Sequence, residues 1–167
     1  MAAAIHTTYN TGYMVGDIRG AWLANNDDTT WADRCYKGHH LTETGSITGA
    51  PVATGAELLG YGGFSATDYL NLAHHGDFDF ATSFSMANWF KSPGTASDEV
   101  LFSRKDPASG NKEFQLRLRT AGTLAFYVKD ATGSLDISAT SPGAYDDGEW
   151  HLAIGVRDGD DGTLFID

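Results

Sequence analysis

Cysteine, basic side chains, helix-sustaining runs and long apolar stretches are all scarce in this sequence, and each shortage removes a class of protein. A single cysteine, Cys35, cannot close a disulfide within the chain, so stability must come from a packed core, with subunit association as a further source. Lys and Arg number 11 against 22 Asp and Glu, a formal net charge of −11. So negative a surface repels phosphate backbones instead of releasing their counterions, which argues against nucleic acid and anionic membranes as partners. No stretch approaches the roughly 20 apolar residues of a membrane span, so no insertion is expected. The opening Met1-Ala2-Ala3-Ala4-Ile5-His6 has neither a basic nor an apolar signal-peptide region. Runs of Ala, Leu, Glu and Lys that would carry long helices are also missing.

What is present points to sheet and turn. The 167 residues are 41% hydrophobic, enough for one substantial core but not for two large domains. Twenty glycines and 12% aromatic residues favour short strands joined by turns. Residues 1–50 carry only scattered apolar groups, such as Ile18, Trp22 and Leu23, and read as an irregular N-terminal arm. From residue 51 to 167, alternating apolar and polar segments recur between Gly, Asp, Asn, Ser and Pro signals. Short strands are expected at 41–47, 56–64, 68–73, 83–90, 99–103, 114–118, 124–128, 135–138, 149–156 and 163–167. Residues 105–111, 130–133 and 141–148 read as turns or loops between them. Phe114, Leu116 and Leu118 should point inward, with Gln115, Arg117 and Arg119 opposite, and Ala121-Gly122 should turn the chain into a hairpin. Trp150, Leu152, Ile154 and Val156 share a face by period two, and Trp89 and Trp150 are expected in the core. The expected fold is all-β, an antiparallel jelly-roll sandwich.

The order Phe84-Ser85-Met86-Ala87-Asn88-Trp89-Phe90, Leu101-Phe102-Ser103-Arg104, Phe114-Gln115-Leu116-Arg117-Leu118, Asp147-Gly148-Glu149-Trp150-His151-Leu152-Ala153 and Leu164-Phe165-Ile166-Asp167 resembles the laminin G-like branch of the concanavalin A-like lectin and glucanase fold. The likeness covers about residues 56–167. Upstream, the string from Tyr9 to Leu23, Asp33-Arg34-Cys35-Tyr36 and the string from Pro51 to Leu58 look like a leader found before such domains in tailed-bacteriophage virion proteins. Family members usually run past the equivalent of Asp167 with further strands. The sandwich is therefore expected to be completed by the arm or a neighbouring subunit, or the sequence is a fragment.

These likenesses imply a virion protein of the tail or particle surface, extracellular when mature and without a visible signal peptide. Its expected partners are other virion proteins, copies of itself and host glycans. A purely architectural decoration or fibre subunit, and a carbohydrate-binding module of a larger secreted hydrolase, are the alternatives.

No catalysis is expected. Retaining glucanases need two carboxylates about 5 Å apart across one glycosidic bond. Glu57, Glu99, Glu113 and Glu149 lie scattered over different segments. Neither a serine nucleophile elbow nor a zinc motif is present. Sugar binding needs an aromatic face and planar polar groups, which Arg117, Arg119 and Tyr127, with His151 alongside, can supply from one sheet. No cofactor is required. Calcium is the one ion considered, with Asp77 and Asp79 before one strand and Asp158 and Asp160 in a Gly-rich turn as candidates, although that turn lacks a later bidentate Glu. His39-His40 and His74-His75 are adjacent pairs whose rings point apart on a strand, so neither pair alone should chelate a metal.

Overall fold

The computed structural model describes residues 17–22, 24, 31–35, 37–56, 58–94, 97–105, 113–130 and 136–167. The start of the arm, the turn-rich stretch at 25–30, Glu57, most of the turn at 105–111 and the turn at 131–133 lie outside these residues. Backbone proximity groups residues 1–78 and 79–167 as two compact units. Among the described residues, no helix is long and apolar enough to cross a membrane.

The second unit is an antiparallel sandwich. One sheet has the order β11–β10–β5, from β5 (Phe84–Lys91), β10 (Trp150–Asp158) and β11 (Asp161–Ile166). The other runs β6–β7–β8–β9, from β6 (Glu99–Lys105), β7 (Glu113–Leu118), β8 (Thr123–Lys129) and β9 (Asp136–Ala144). Alternation along β7 and β8 sends Phe114, Leu116, Leu118, Leu124, Phe126 and Val128 into the core. Each such burial contributes about 1.5–3 kcal/mol. The β7–β8 hairpin forms as expected, closed by Gly122 at φ 74°, a left-handed conformation that glycine adopts without steric cost.

Two expectations are corrected here. On β10 the core face is His151, Ala153, Gly155 and Arg157, while Trp150, Leu152, Ile154 and Val156 lie on the outward face. Trp89 is likewise outward and 61% exposed. The reason is room: the four-stranded sheet supplies the large side chains, and the facing strand must be thin to receive them. Phe126 packs directly against Gly155, and Ile137 against Gly162. The second correction concerns residues 141–144, which continue β9 instead of forming a loop. Pro142 is tolerated because β9 is an edge strand, where a missing N–H breaks no inner ladder. Beside the register shift, the Ser141 hydroxyl accepts the Leu124 N–H at 2.9 Å and donates to the Gly143 carbonyl at 2.7 Å.

The described residues of the first unit form two small antiparallel strand pairs. β1 (Thr42–Thr44) pairs with β4 (Tyr69–Asn71), and β2 (Thr48–Pro51) pairs with β3 (Leu59–Gly62). A polar knot organises the stretch before them. The buried Asp33 carboxylate accepts the N–H groups of Ala21 (2.9 Å), Cys35 (3.0 Å) and His39 (2.9 Å), and the Cys35 thiol at 3.0 Å. Burial alone would push this carboxyl up. The thiol and the three backbone donors more than offset it and hold the pKa below its ordinary value.

Candidate functional site

The outward face of the β6–β9 sheet follows from the same alternation that builds the core. Side chains next to Leu116 on β7 must point the other way, and cross-strand register then sets them in rows. One row runs Ser103, Gln115, Tyr127 and Ser138, and the next Val100, Arg117, Ala125 and Thr140. Arg117 and Tyr127 therefore sit on neighbouring strands of one face, in adjacent rows. Gln115 lies directly opposite Tyr127.

Asp98 anchors this face at its β6 side. Its carboxylate accepts the Thr120 N–H at 3.1 Å and the Thr120 hydroxyl at 3.3 Å, and lies 3.5 Å from Arg117 Nη1. The Thr120 N–H is the main cause holding the Asp98 pKa below its ordinary value, and the charges of Arg117 and Arg119 add to it. Arg119 stands at the β7–β8 turn, exposed, with its backbone N–H donating to Thr123 and its carbonyl accepting from Gly122. Donors, a fixed carboxylate, an amide and an aromatic ring thus share one surface. This set can bond sugar hydroxyls as both donor and acceptor.

His151 does not join them. It belongs to the other sheet, faces inward at 9% exposure, and packs against Phe90 and Tyr145. Both ring nitrogens are engaged, Nε2 by Asp147 at 3.0 Å and Nδ1 by Asp167 at 3.1 Å. Burial works against its protonation, but the hydrogen bonds and charges of the two carboxylates prevail and raise the pKa. Asp167 also accepts the Leu152 N–H at 3.2 Å. Alternation on β10 was visible in the sequence, but its phase depended on Gly155 facing Phe126, a tertiary fact.

Three of the four calcium candidates have partners of other kinds. Asp79 forms an ion pair with Arg104. Asp158 accepts the Ser83 hydroxyl at 2.9 Å and pairs with Asp161 across the β10–β11 turn, where Asp160 is exposed. Asp77 lies 3.2 Å from Arg19 and close to His39 and His75, a grouping that the adjacent-pair reading of the histidines missed.

Of the acidic residues considered for catalysis, Glu99 and Glu149 are exposed on separate segments. Cys35 is a weak nucleophile: burial foremost, then the bond to Asp33, pushes its thiol up to about 11.

Two facing antiparallel sheets define the second unit as a β-sandwich. Residues 64–167 match the family model described as the concanavalin A-like lectin/glucanases superfamily. The chain belongs to that family. Comparison with curated proteins and with solved structures gave no match.

Proposed function

We propose that the chain is a non-catalytic glycan-binding module of a bacteriophage particle, exposed outside the cell when the particle is mature. It contacts host sugars through the outward face of the β6–β9 sheet. The observation that carries this reading is the placement of Arg117 beside Tyr127, with Gln115 opposite and Asp98 fixing the guanidinium. In this reading Tyr127 offers a ring to the apolar side of a pyranose, and Arg117, Arg119 and Gln115 bond its hydroxyls. Single-site binding would be weak, and many copies on one particle would raise the effective concentration. The likeness of the upstream residues to a phage leader supports the particle setting.

A glycan array probed with the multimerised full chain tests the site. Arg117→Ala and Tyr127→Ala should each lose at least tenfold in binding while keeping the parent circular dichroism. Binding that survives both changes would remove this face, and silence of the wild type across the array would remove glycan recognition. Mass spectrometry of purified particles tests the setting, which fails if the chain is absent.

A second, architectural reading rests on the other outward face. There Trp89 stands opposite Leu152, and Ala87, Ile154 and Phe165 form a row, with Phe165 55% exposed. An apolar surface of this kind suits packing against another subunit. Sedimentation of Trp89→Ser as a smaller species than the parent, with an empty glycan array, would favour it.

A further inference from the structure

His39, His75 and Asp77 stand far apart in the sequence or on opposite sides of a turn, yet each brings one donor atom to within 4.8 Å of the others. We propose that these three residues bind one divalent transition-metal ion of the zinc class.

The His39 ring is fixed before any ion arrives. Its backbone N–H donates to Asp33, and its carbonyl accepts the Trp22 Nε1–H at 2.7 Å. Its Nδ1 lies 2.8 Å from the Arg19 carbonyl oxygen. A carbonyl oxygen only accepts, so Nδ1 carries the proton and Nε2 is the nitrogen turned to Asp77 Oδ2, 3.4 Å away. A backbone carbonyl on the far nitrogen is how metal-binding histidines are commonly held in orientation and tautomer. Phe78, stacked with Trp22, closes the apolar side of the ring.

Asp77 is oriented in the same manner. Arg19 Nη1 takes Oδ1 at 3.2 Å, which directs Oδ2 towards the histidines. A single 3₁₀ turn, Gly76–Phe78, folds His75 back over the same spot, with the Phe78 N–H donating to its carbonyl at 3.1 Å. The His75 ring centroid lies 4.4 Å from that of His39, and its Nδ1 is 3.9 Å from Asp77 Oδ2. That Nδ1 accepts the Asp77 N–H at 3.2 Å, a bond the ring exchanges for the metal.

Two imidazole nitrogens and one carboxylate oxygen so placed form a donor set that a divalent cation can bridge. Tetrahedral zinc with bonds near 2.1 Å sets its donors about 3.4 Å apart, and the His39–Asp77 pair already meets this spacing. The His75 ring closes the rest by a small swing, which its exposed position on a short turn permits. Calcium prefers six to eight oxygens, whereas two imidazoles and one carboxylate suit zinc and its neighbours, with a fourth position left for water. Lys37 Nζ stands 4.0 Å from Oδ2 but 3.7 Å from Asp17, so it keeps a counter-ion when the metal enters. The bound ion would cross-link two segments of the first unit and stabilise it by mass action.

The test uses the untagged full chain, stripped with chelator and then given zinc chloride or calcium chloride. After gel filtration, one zinc per chain should remain and raise the Tm, with no such effect from calcium. His75→Ala, at an exposed position, and Asp77→Asn should each bind zinc at least tenfold more weakly with unchanged circular dichroism. No retained zinc would overturn the proposal. Equal binding by parent and both variants would overturn it too, placing the ion on other groups such as His40 or His74.

Discussion

Gly155 of β10 lies flat beneath the ring of Phe126 on β8, so that a β-carbon at position 155 would overlap three of the ring atoms. The sandwich is asymmetric at this point: one sheet carries the bulk and the other makes way for it.

Gly155→Ala should therefore destabilise the protein by about 1–3 kcal/mol through overpacking. Gly162→Ala, aimed at Ile137, should behave alike. Gly143→Ala, whose β-carbon would meet only Tyr145 at 4.0 Å, should stay within about 0.5 kcal/mol. Urea denaturation of the three variants separates these outcomes.

The clamp of Asp147 and Asp167 on His151 makes part of the stability depend on pH. The folded pKa of His151 is raised above 6.5, so its contribution is fully present below that value and is lost as pH rises through the folded pKa. The pKa of Asp147 is lowered, chiefly by the Glu149 N–H and then by His151, so its contribution holds above 3.8 and fades as pH falls through the folded value. The Tm of the parent should drop between pH 6 and pH 8 more than that of His151→Gln. Parallel Tm profiles for the two would exclude the clamp as the source.

Much of the sandwich was legible in the sequence because period-two alternation and turn residues report directly on strands. The inward set on β7 and β8, the β5 face of Phe84, Met86 and Phe90, and the turn at Gly122 all follow from local rules. The faces of β10 did not, because Leu152, Ile154 and Val156 look like core until the bulk of Phe126 is set against Gly155. The Arg117 and Tyr127 face needed only the hairpin register and could be read ahead. His151 could not, since its place depends on which face of β10 is buried. The meeting of His39 with His75 depends on how loops fold back, and no local signal carries that information.

Asp33→Asn should loosen the first unit, because an amide cannot accept from all four donors that the carboxylate satisfies. Each donor left unmet costs about 1–3 kcal/mol. Hydrogen exchange should quicken at the amides of Ala21, Cys35 and His39, while the β7 and β8 amides keep their protection.

Cys35 should react slowly with thiol reagents. With its thiol near 11, the thiolate fraction at pH 8 is roughly one part in a thousand. A maleimide time course should show slow labelling in the parent and faster labelling in Asp33→Asn. Equal rates would remove the Asp33 bond as the cause.

The knot around Asp33 also bears on temperature. Unfolding a hydrophobic core raises the heat capacity, so the stabilisation it gives weakens on cooling, whereas exposing polar groups lowers the heat capacity. The backbone at Ala21, Cys35 and His39 is held by hydrogen bonds to one carboxylate, and the sandwich by buried Phe and Leu side chains. In the cold, therefore, the polar knot keeps its grip while the packed sheets lose part of theirs.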